Sequence, residues 1–369
     1  MEIIHLAPPF LALREDLQYG GIERLIMAMQ KRQEKSGAGV EILAPADSLV
    51  PGLVPTTTCV GIEELYAPAV DKDKVRTGTR RKLGHIAAAL EYVSTKKDTI
   101  LHVHDDYFVP FLQLLSVPFL VTLHSPYEEF WPAEEYPQVA KRTKNLIALS
   151  ESHKRIYQSH GYSIFNVVHN GVEVERFPFS ECKDDYLLSL SVISSHKGQK
   201  KALEAAQKTG RNLIIAGNVS NESYFTEEIE PHLTHNISKE KDKLGAYRAL
   251  PPGHKVVYAG PVDDEQKKPL FAYAQAFLMP ILWEEPFGLV MIEALACGTP
   301  VVAFNRGAAA EVVRDGKTGY IVETVEEMAE ALSRIGRIRP SDCRRHVEQN
   351  FSLDKMVDSY LELYRSLAQ

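Results

Sequence analysis

Several things are scarce in this sequence, and each shortage excludes a class. Only 4 cysteines occur in 369 residues, and Cys59, Cys182, Cys297 and Cys343 form no C-x-x-C pair. Neither a zinc site nor a disulfide framework is therefore expected, and a reducing compartment is the simpler setting. The most apolar stretch, residues 109–123, is cut by Gln113, Ser116 and two prolines, so it is not read as a membrane span. The chain opens Met-Glu-Ile-Ile-His with no basic segment before its first apolar residues, and no signal peptide is expected. Positive charge is not in excess: 42 Lys and Arg stand against 49 Asp and Glu, a net charge of −7, which argues against general nucleic-acid affinity. What is present is ordinary for a globular protein, with 44% hydrophobic and 25% charged residues. At about 150 residues per domain, the length suggests two domains in a cytoplasmic protein.

The pattern is α/β throughout. In the first half, short apolar runs at 3–7, 40–44, 100–104, 119–123, 145–149 and 166–169 alternate with helical patterns at 21–33, 82–93 and 152–158. In the second half, strands are expected at 186–190, 213–216, 255–259, 276–279, 300–304 and 320–322. Helices are expected there at 200–208, 265–273, 289–297 and 325–333. Near-continuous apolar strands separated by helices indicate parallel sheets covered on both faces. The expected fold is two doubly wound, Rossmann-like domains facing a central cleft, with ligand at the carboxyl ends of the strands. The Asn-Gly turn at 170–171 marks the break, giving domains at 1–172 and 173–350. A final segment, 351–369, carries a helical apolar stripe from Leu353 to Leu367.

Chemistry concentrates between residues 278 and 322. A strand ends at Met279, the loop carries Glu285-Pro286-Phe287-Gly288, and a helix follows, whose exposed first amides suit an anion such as a diphosphate. Glu285 precedes that terminus and Glu293 lies eight positions on. Eight helical residues span about 12 Å, longer than the roughly 5–9.5 Å of a glycosidase carboxylate pair. The two carboxylates therefore suit the ends of an elongated ligand such as a nucleotide-sugar, although a first-turn dipole residue and a solvated helix position would look the same.

This segment resembles the Glu-x7-Glu signature of retaining glycosyltransferases of family 4, which have the GT-B fold. The likeness extends to Gly298-Thr299-Pro300-Val301-Val302 and to Glu311-Val312-Val313 through Gly319. It implies that Glu285 contacts donor-sugar hydroxyls and Glu293 the ribose, with the amides of Phe287, Gly288 and Leu289 on sugar and phosphates. Gly20-Gly21 follow the first strand at a helix start, where paired glycines let a ligand approach the backbone. The resemblance makes them a border to phosphate and acceptor. His124 follows the strand 119–123, and the likeness makes it a donor-sugar contact that is critical to activity. His102 and His104 alternate onto one face, two imidazoles read as packing or cleft lining and not as a metal site.

Lys197, in Ser194-Ser195-His196-Lys197-Gly198, is placed as a point charge for the departing diphosphate. The family has a second cation five positions before this Lys, but here that position reads Val192. Another basic residue, weaker leaving-group stabilisation or loss of activity would each fit that change. The resemblance puts Val262, in the turn before a helix capped by Asp263 or Asp264, beside the nucleotide base, although a plain helix cap would look the same. The only Asp-x-Asp, at 71–73, lies in an expected basic loop, residues 71–82, with six Lys or Arg against two Asp. No metal or cofactor is expected; that loop is either solvated or a contact for an anionic lipid or phosphorylated acceptor.

The resemblance thus implies hexose transfer from a nucleoside diphosphate sugar to a glycan, lipid-linked or small-molecule hydroxyl, with possible peripheral membrane contact. A same-fold sugar-nucleotide epimerase or hydrolase, and a catalytically silent nucleotide-sugar-binding partner, are the alternatives.

Overall fold

Strands apolar on both faces need cover on both faces, and the chain supplies it twice. The computed structural model describes residues 1–17, 20–61, 71–127 and 141–368 and contains two seven-stranded sheets. In the first, β1 (Glu2–Leu6), β2 (Gly39–Ala44), β3 (Leu53–Pro55), β4 (Thr99–Val103), β5 (Phe119–Thr122), β6 (Leu146–Ala148) and β7 (Ile164–Val167) lie in the order β3-β2-β1-β4-β5-β6-β7. In the second, β8 (Tyr186–Leu190), β9 (Asn212–Ala216), β10 (His235–Asn236), β11 (Val256–Gly260), β12 (Ala276–Met279), β13 (Val301–Phe304) and β14 (Gly319–Val322) lie in the order β10-β11-β9-β8-β12-β13-β14. Every strand pairing within them is parallel, as in the register His5 opposite His102 between β1 and β4. Strand order reverses between β1 and β4 and again between β8 and β12. Such switch points are where open α/β sheets bind ligands, beyond the carboxyl ends of the strands.

The chain divides into two compact units, one of residues Met1–His169 with Leu353–Gln369 and the other of residues Asn170–Ser352. The last helix, Leu353–Leu367, therefore belongs with the first sheet. Its stripe of Leu353, Met356, Val357, Tyr360, Leu361 and Tyr364 is buried against Ile3, Leu25, Met29, Ile100, Leu120 and Ile147. An ion pair from Arg32 to Asp354 joins it to the first helix, Gly21–Lys35.

Local expectations differ from the structure in a few places. Residues 71–82 are not a loop but the start of a helix, Lys72–Ser94. Asp71 caps it by accepting from the Lys74 amide at 3.1 Å, and Lys and Arg are good helix formers even in a crowd. Arg81 donates to the Cys59 carbonyl at 3.0 Å, and Lys82 lies 4.7 Å from the centre of the Tyr107 ring, so two of the six cations are used internally. Lys72, Lys74, Arg76 and Arg80 remain exposed. Among the described residues, no helix is long and apolar enough to cross a membrane. The apolar stretch near Val109 becomes a 3-10 helix, Asp106–Leu114, around Pro110.

Two stability outcomes follow from this packing. Leu361→Ala should cost about 2–5 kcal/mol by denaturant unfolding, the range for a large-to-small core change, and a cost under about 1 kcal/mol would separate the last helix from the core. Burial lowers His5 and His85 to about 4 and His124 to about 3, and holds His102 and His104 well below their usual value. These groups are neutral when folded and take up protons on unfolding, so their stability is lost as pH falls from about 6.5 towards 4. Burial raises Glu23 and Asp105 to about 7, which acts oppositely over the same range, but five histidines outnumber two carboxylates. The urea midpoint should be lower at about pH 5 than at about pH 7.5, and a flat or inverted profile would contradict the balance.

Candidate functional site

The loops leaving β8 and β12, at the second switch point, cross at Gly198. Its φ is 75°, and a Cβ there would stand 1.9 Å from the Pro280 carbonyl oxygen. The Leu282 amide donates to the His196 carbonyl at 2.8 Å, fastening the crossing. Only a residue without a side chain tolerates both the left-handed backbone and the approach.

This crossing sets Lys197 Nζ 3.1 Å from Glu285 Oε2, with the two side chains 19% and 14% exposed. Trp283 Nε1–H donates to the same carboxylate oxygen at 2.9 Å. Lys197 also lies 4.1 Å from the centre of the Trp283 ring, and the His196 ring stacks on that indole with centroids 4.3 Å apart. Burial, with Lys197 nearby, lowers the His196 pKa, so this imidazole is neutral beside the cation. Neither Trp283 nor His196 was anticipated from sequence, although Trp283 stands two residues before Glu285, a spacing that shares a side in extended chain.

A third loop holds Glu285 from behind its backbone. At Gly307, φ 56°, a Cβ would lie 2.1 Å from the Glu285 carbonyl oxygen, which accepts the Ala308 amide at 2.9 Å. The Glu284 carboxylate accepts the Gly307 amide at 2.6 Å. Gly288, at φ 80°, then caps the helix Leu289–Ala296. Phe287 is 1% exposed and its ring meets Phe351 at 5.8 Å, so its side chain is core and only its backbone can serve a ligand. Leu289 is half-buried, and the helix's first amides have no intrahelical acceptor.

Glu293 is not a solvated helix position. Its carboxylate meets Lys267 Nζ at 2.6 Å, with side chains 12% and 7% exposed, and its buried Oε2 has no hydrogen-bond partner among the described residues. Lys267 and Lys268 also flank Asp264 at 3.2 and 3.0 Å. Burial pushes the Asp264 carboxyl up, but the two lysines outweigh it and hold the group at about 2. Glu285 and Glu293 thus have a lysine each. Val262 is half-buried in the turn before the helix Asp264–Tyr273, which Asp263 and Gln266 cap reciprocally. At the position of the missing cation, Gln199 Nε2 donates to Ser191 Oγ at 2.8 Å and to the Val192 carbonyl at 2.9 Å. An amide fastens the loop there.

In the first unit, Gly20 is buried at φ 127° before the helix that Gly21 opens; Tyr19, ahead of them, lies outside the described residues. A Cβ on Gly20 would lie 2.7 Å from the carboxylate of Glu23, a 4% exposed acid that burial raises to about 7. His124 lies two residues past the end of β5 and is partly exposed. Its Nε2 is 3.0 Å from His104 Nδ1, and burial keeps it neutral, with a pKa of about 3. His102 and His104 share a face, as alternation requires, with ring centroids 4.0 Å apart. His5 of β1, which alternation along one strand does not connect to them, joins them through strand pairing.

The family model for glycosyl transferases group 1 matches residues 173–350, and that for Glycosyltransferase Family 4 matches residues 19–176. Together the two models cover residues 19–350, and the chain is a glycosyltransferase of the kind they describe. An uncharacterized 41.2 kDa protein in the cps region of Klebsiella pneumoniae is 31% identical over 43% of each chain. The D-inositol 3-phosphate glycosyltransferase of Mycobacterium tuberculosis is 29% identical over 62% of this chain and 50% of its own. The matches therefore span about half, or less, of these curated relatives. Among solved structures, sucrose-phosphate synthase from Thermosynechococcus elongatus superposes with a TM-score of 0.73 at 18% identity, over 99% of this chain and 98% of that one. HepE of Anabaena, in complex with UDP and glucose, superposes with a TM-score of 0.70 at 18% identity, over 99% of this chain and 100% of its own. At such identities the likeness is one of fold, and the fold is GT-B.

For this glycosyltransferase, Gly198→Ala is the sharpest test of the loop crossing. It should lower the melting temperature by several degrees, since strain of roughly 1–2 kcal/mol corresponds to about 2–8 °C at this size. Unchanged melting would show that the loops can part without cost.

Proposed function

We propose that this glycosyltransferase is a retaining enzyme that moves a hexose from a nucleoside diphosphate sugar to an acceptor hydroxyl. The observation that carries the reading is the pairing of Lys197 with Glu285 beside the first turn of the helix Leu289–Ala296. A diphosphate arriving there competes with Glu285 for Lys197. Binding would transfer the lysine's charge to the leaving group and free the carboxylate to accept from sugar hydroxyls. The amides of Phe287, Gly288 and Leu289 add donors for the charge that develops as the glycosidic bond breaks. Glu293 Oε2 is a ready acceptor for a ribose hydroxyl, and Val262 lies beside the base. His124 contacts the donor sugar as a neutral group, and Gly20 and Gly21 border phosphate and acceptor. No side chain is assigned as a covalent nucleophile, and no metal or other cofactor enters the scheme.

The first unit is assigned to the acceptor, a glycan, lipid-linked or small-molecule hydroxyl. The exposed Lys72, Lys74, Arg76 and Arg80 offer a surface for an anionic lipid or phosphorylated acceptor, consistent with a cytoplasmic enzyme in peripheral membrane contact. HepE is described with UDP-glucose, so UDP donors are the first to test. The second reading, a nucleotide-sugar-binding partner without turnover, is favoured by one observation, the neutral Val192 in place of a cation.

A nucleotide saturating its site at a hundred times its Kd stabilises by about 2.7 kcal/mol, so UDP or UDP-hexoses should raise the melting temperature measurably. Glu285→Ala should abolish transfer while the protein stays folded. A fully active Glu285→Ala variant, or no thermal shift with any nucleotide, would refute the assignment. A shift without turnover on a broad acceptor panel would establish the second reading instead.

A further inference from the structure

Four imidazoles cluster at the carboxyl edge of the first sheet, three of them in a hydrogen-bonded row, and a single amide stands at one end of that row. Gln33 Oε1 is 2.8 Å from His5 Nε2, His5 Nδ1 is 3.0 Å from His104 Nε2, and His104 Nδ1 is 3.0 Å from His124 Nε2. A second branch leaves the same amide. Gln33 Nε2–H donates to Tyr364 Oη at 3.4 Å, which lies 2.6 Å from His102 Nδ1, while His102 Nε2 is 2.8 Å from Thr122 Oγ1. Gln33, His5 and His102 are 0% exposed and His104 is 2% exposed, whereas His124 reaches the surface.

His5, His102 and His104 are close enough to hold a metal ion, but all six of their ring nitrogens are already engaged in these contacts. A metal would have to break the row, so its chemistry is that of a hydrogen-bonded relay. A neutral imidazole carries one donor and one acceptor, so a row of them has a direction. Imidazoles cannot choose that direction themselves, but an amide has one end that only accepts and one that only donates. With Oε1 towards His5, the proton sits on Nε2 of His5, then of His104, then of His124. In the other branch Tyr364 donates to His102 Nδ1, and His102 donates to Thr122, so both branches agree with one amide orientation.

We propose that Gln33 is a positioning residue that fixes His124 as its Nε2–H tautomer, leaving Nδ1 as a bare acceptor for a substrate hydroxyl. The substrate part rests on the placement of His124 at the donor sugar proposed above; the tautomer part does not. Among the described residues no hydrogen bond engages His124 Nδ1, which is the atom the row leaves open. A reversed row would present an N–H there, and a hydroxyl held by its own proton would be lost.

Histidine-tautomer NMR on the 15N-histidine-labelled full chain tests this near neutral pH, with His124 signals assigned by their loss in His124→Asn. The wild type should show His124 protonated at Nε2 and bare at Nδ1. Gln33→Met, which removes both ends of the amide, should mix the tautomers and lower kcat at least about tenfold, the scale of lost orienting partners. Its thermal shift with UDP should be unchanged. Gln33→Glu keeps an acceptor facing His5 and should restore both the single tautomer and most of the rate. Wild-type His124 protonated at Nδ1, a folded Gln33→Met variant with an unmixed Nε2–H tautomer, or stoichiometric zinc held by His5, His102 and His104 would each overturn the proposal. If Gln33→Met does not fold, the wild-type tautomer and Gln33→Glu still decide it. Full transfer by His124→Ala would remove the substrate contact alone and leave the tautomer assignment standing.

Discussion

Parallel pairing is the constraint on which the rest depends. Because neighbouring strands run the same way, each must be reached by a crossover, and all the carboxyl ends in a sheet open on one edge. Lys197 follows β8 and Glu285 follows β12, 88 positions apart in sequence, yet they meet because β8 and β12 are neighbours at the switch point. The first sheet repeats the arrangement with different chemistry: β1, β4 and β5 deliver His5, His102, His104 and His124 to one edge. The same topology thus makes a charged site in one unit and a neutral imidazole row in the other.

The two carboxylates of the Glu-x7-Glu segment show how charge is tolerated in a shielded place. Desolvating an isolated carboxylate is costly, and each has its own lysine at 3.1 Å or less. Those pairs balance the charge of each carboxylate. Among the described residues Glu293 keeps one oxygen without a partner, the kind of unsatisfied group that a native fold retains at few places. In the first unit the problem is solved the other way. Burial keeps His5, His102, His104 and His124 uncharged, so they can be linked through shared protons without a counter-ion.

Much of this was legible in the chain. The strands at Tyr186–Leu190 and Ala276–Met279 and the helix Val325–Ser333 fall where apolar runs and periodicity put them, because buried parallel strands have no polar face to blur the signal. The segment around Glu285 carried the family. Residues 71–82 misled, because a cluster of Lys and Arg reads as a loop although those side chains favour a helix once Asp71 caps it. The strand His235–Asn236 escaped notice because two residues have no period.

The sequence by itself determined two doubly wound sheets, the glycosyltransferase family and the residue types of the candidate site, since these are written in local runs and in one contiguous motif. Only the tertiary structure decided which groups touch. The stacking of Trp283 on His196, the clamp of Gly307 on Glu285 and the arrival of His5 beside His104 join residues far apart in the chain. Strand order and loop crossings set such contacts, and no local window of sequence encodes either. The direction of the imidazole row is decided there too, because it depends on which end of the Gln33 amide faces His5.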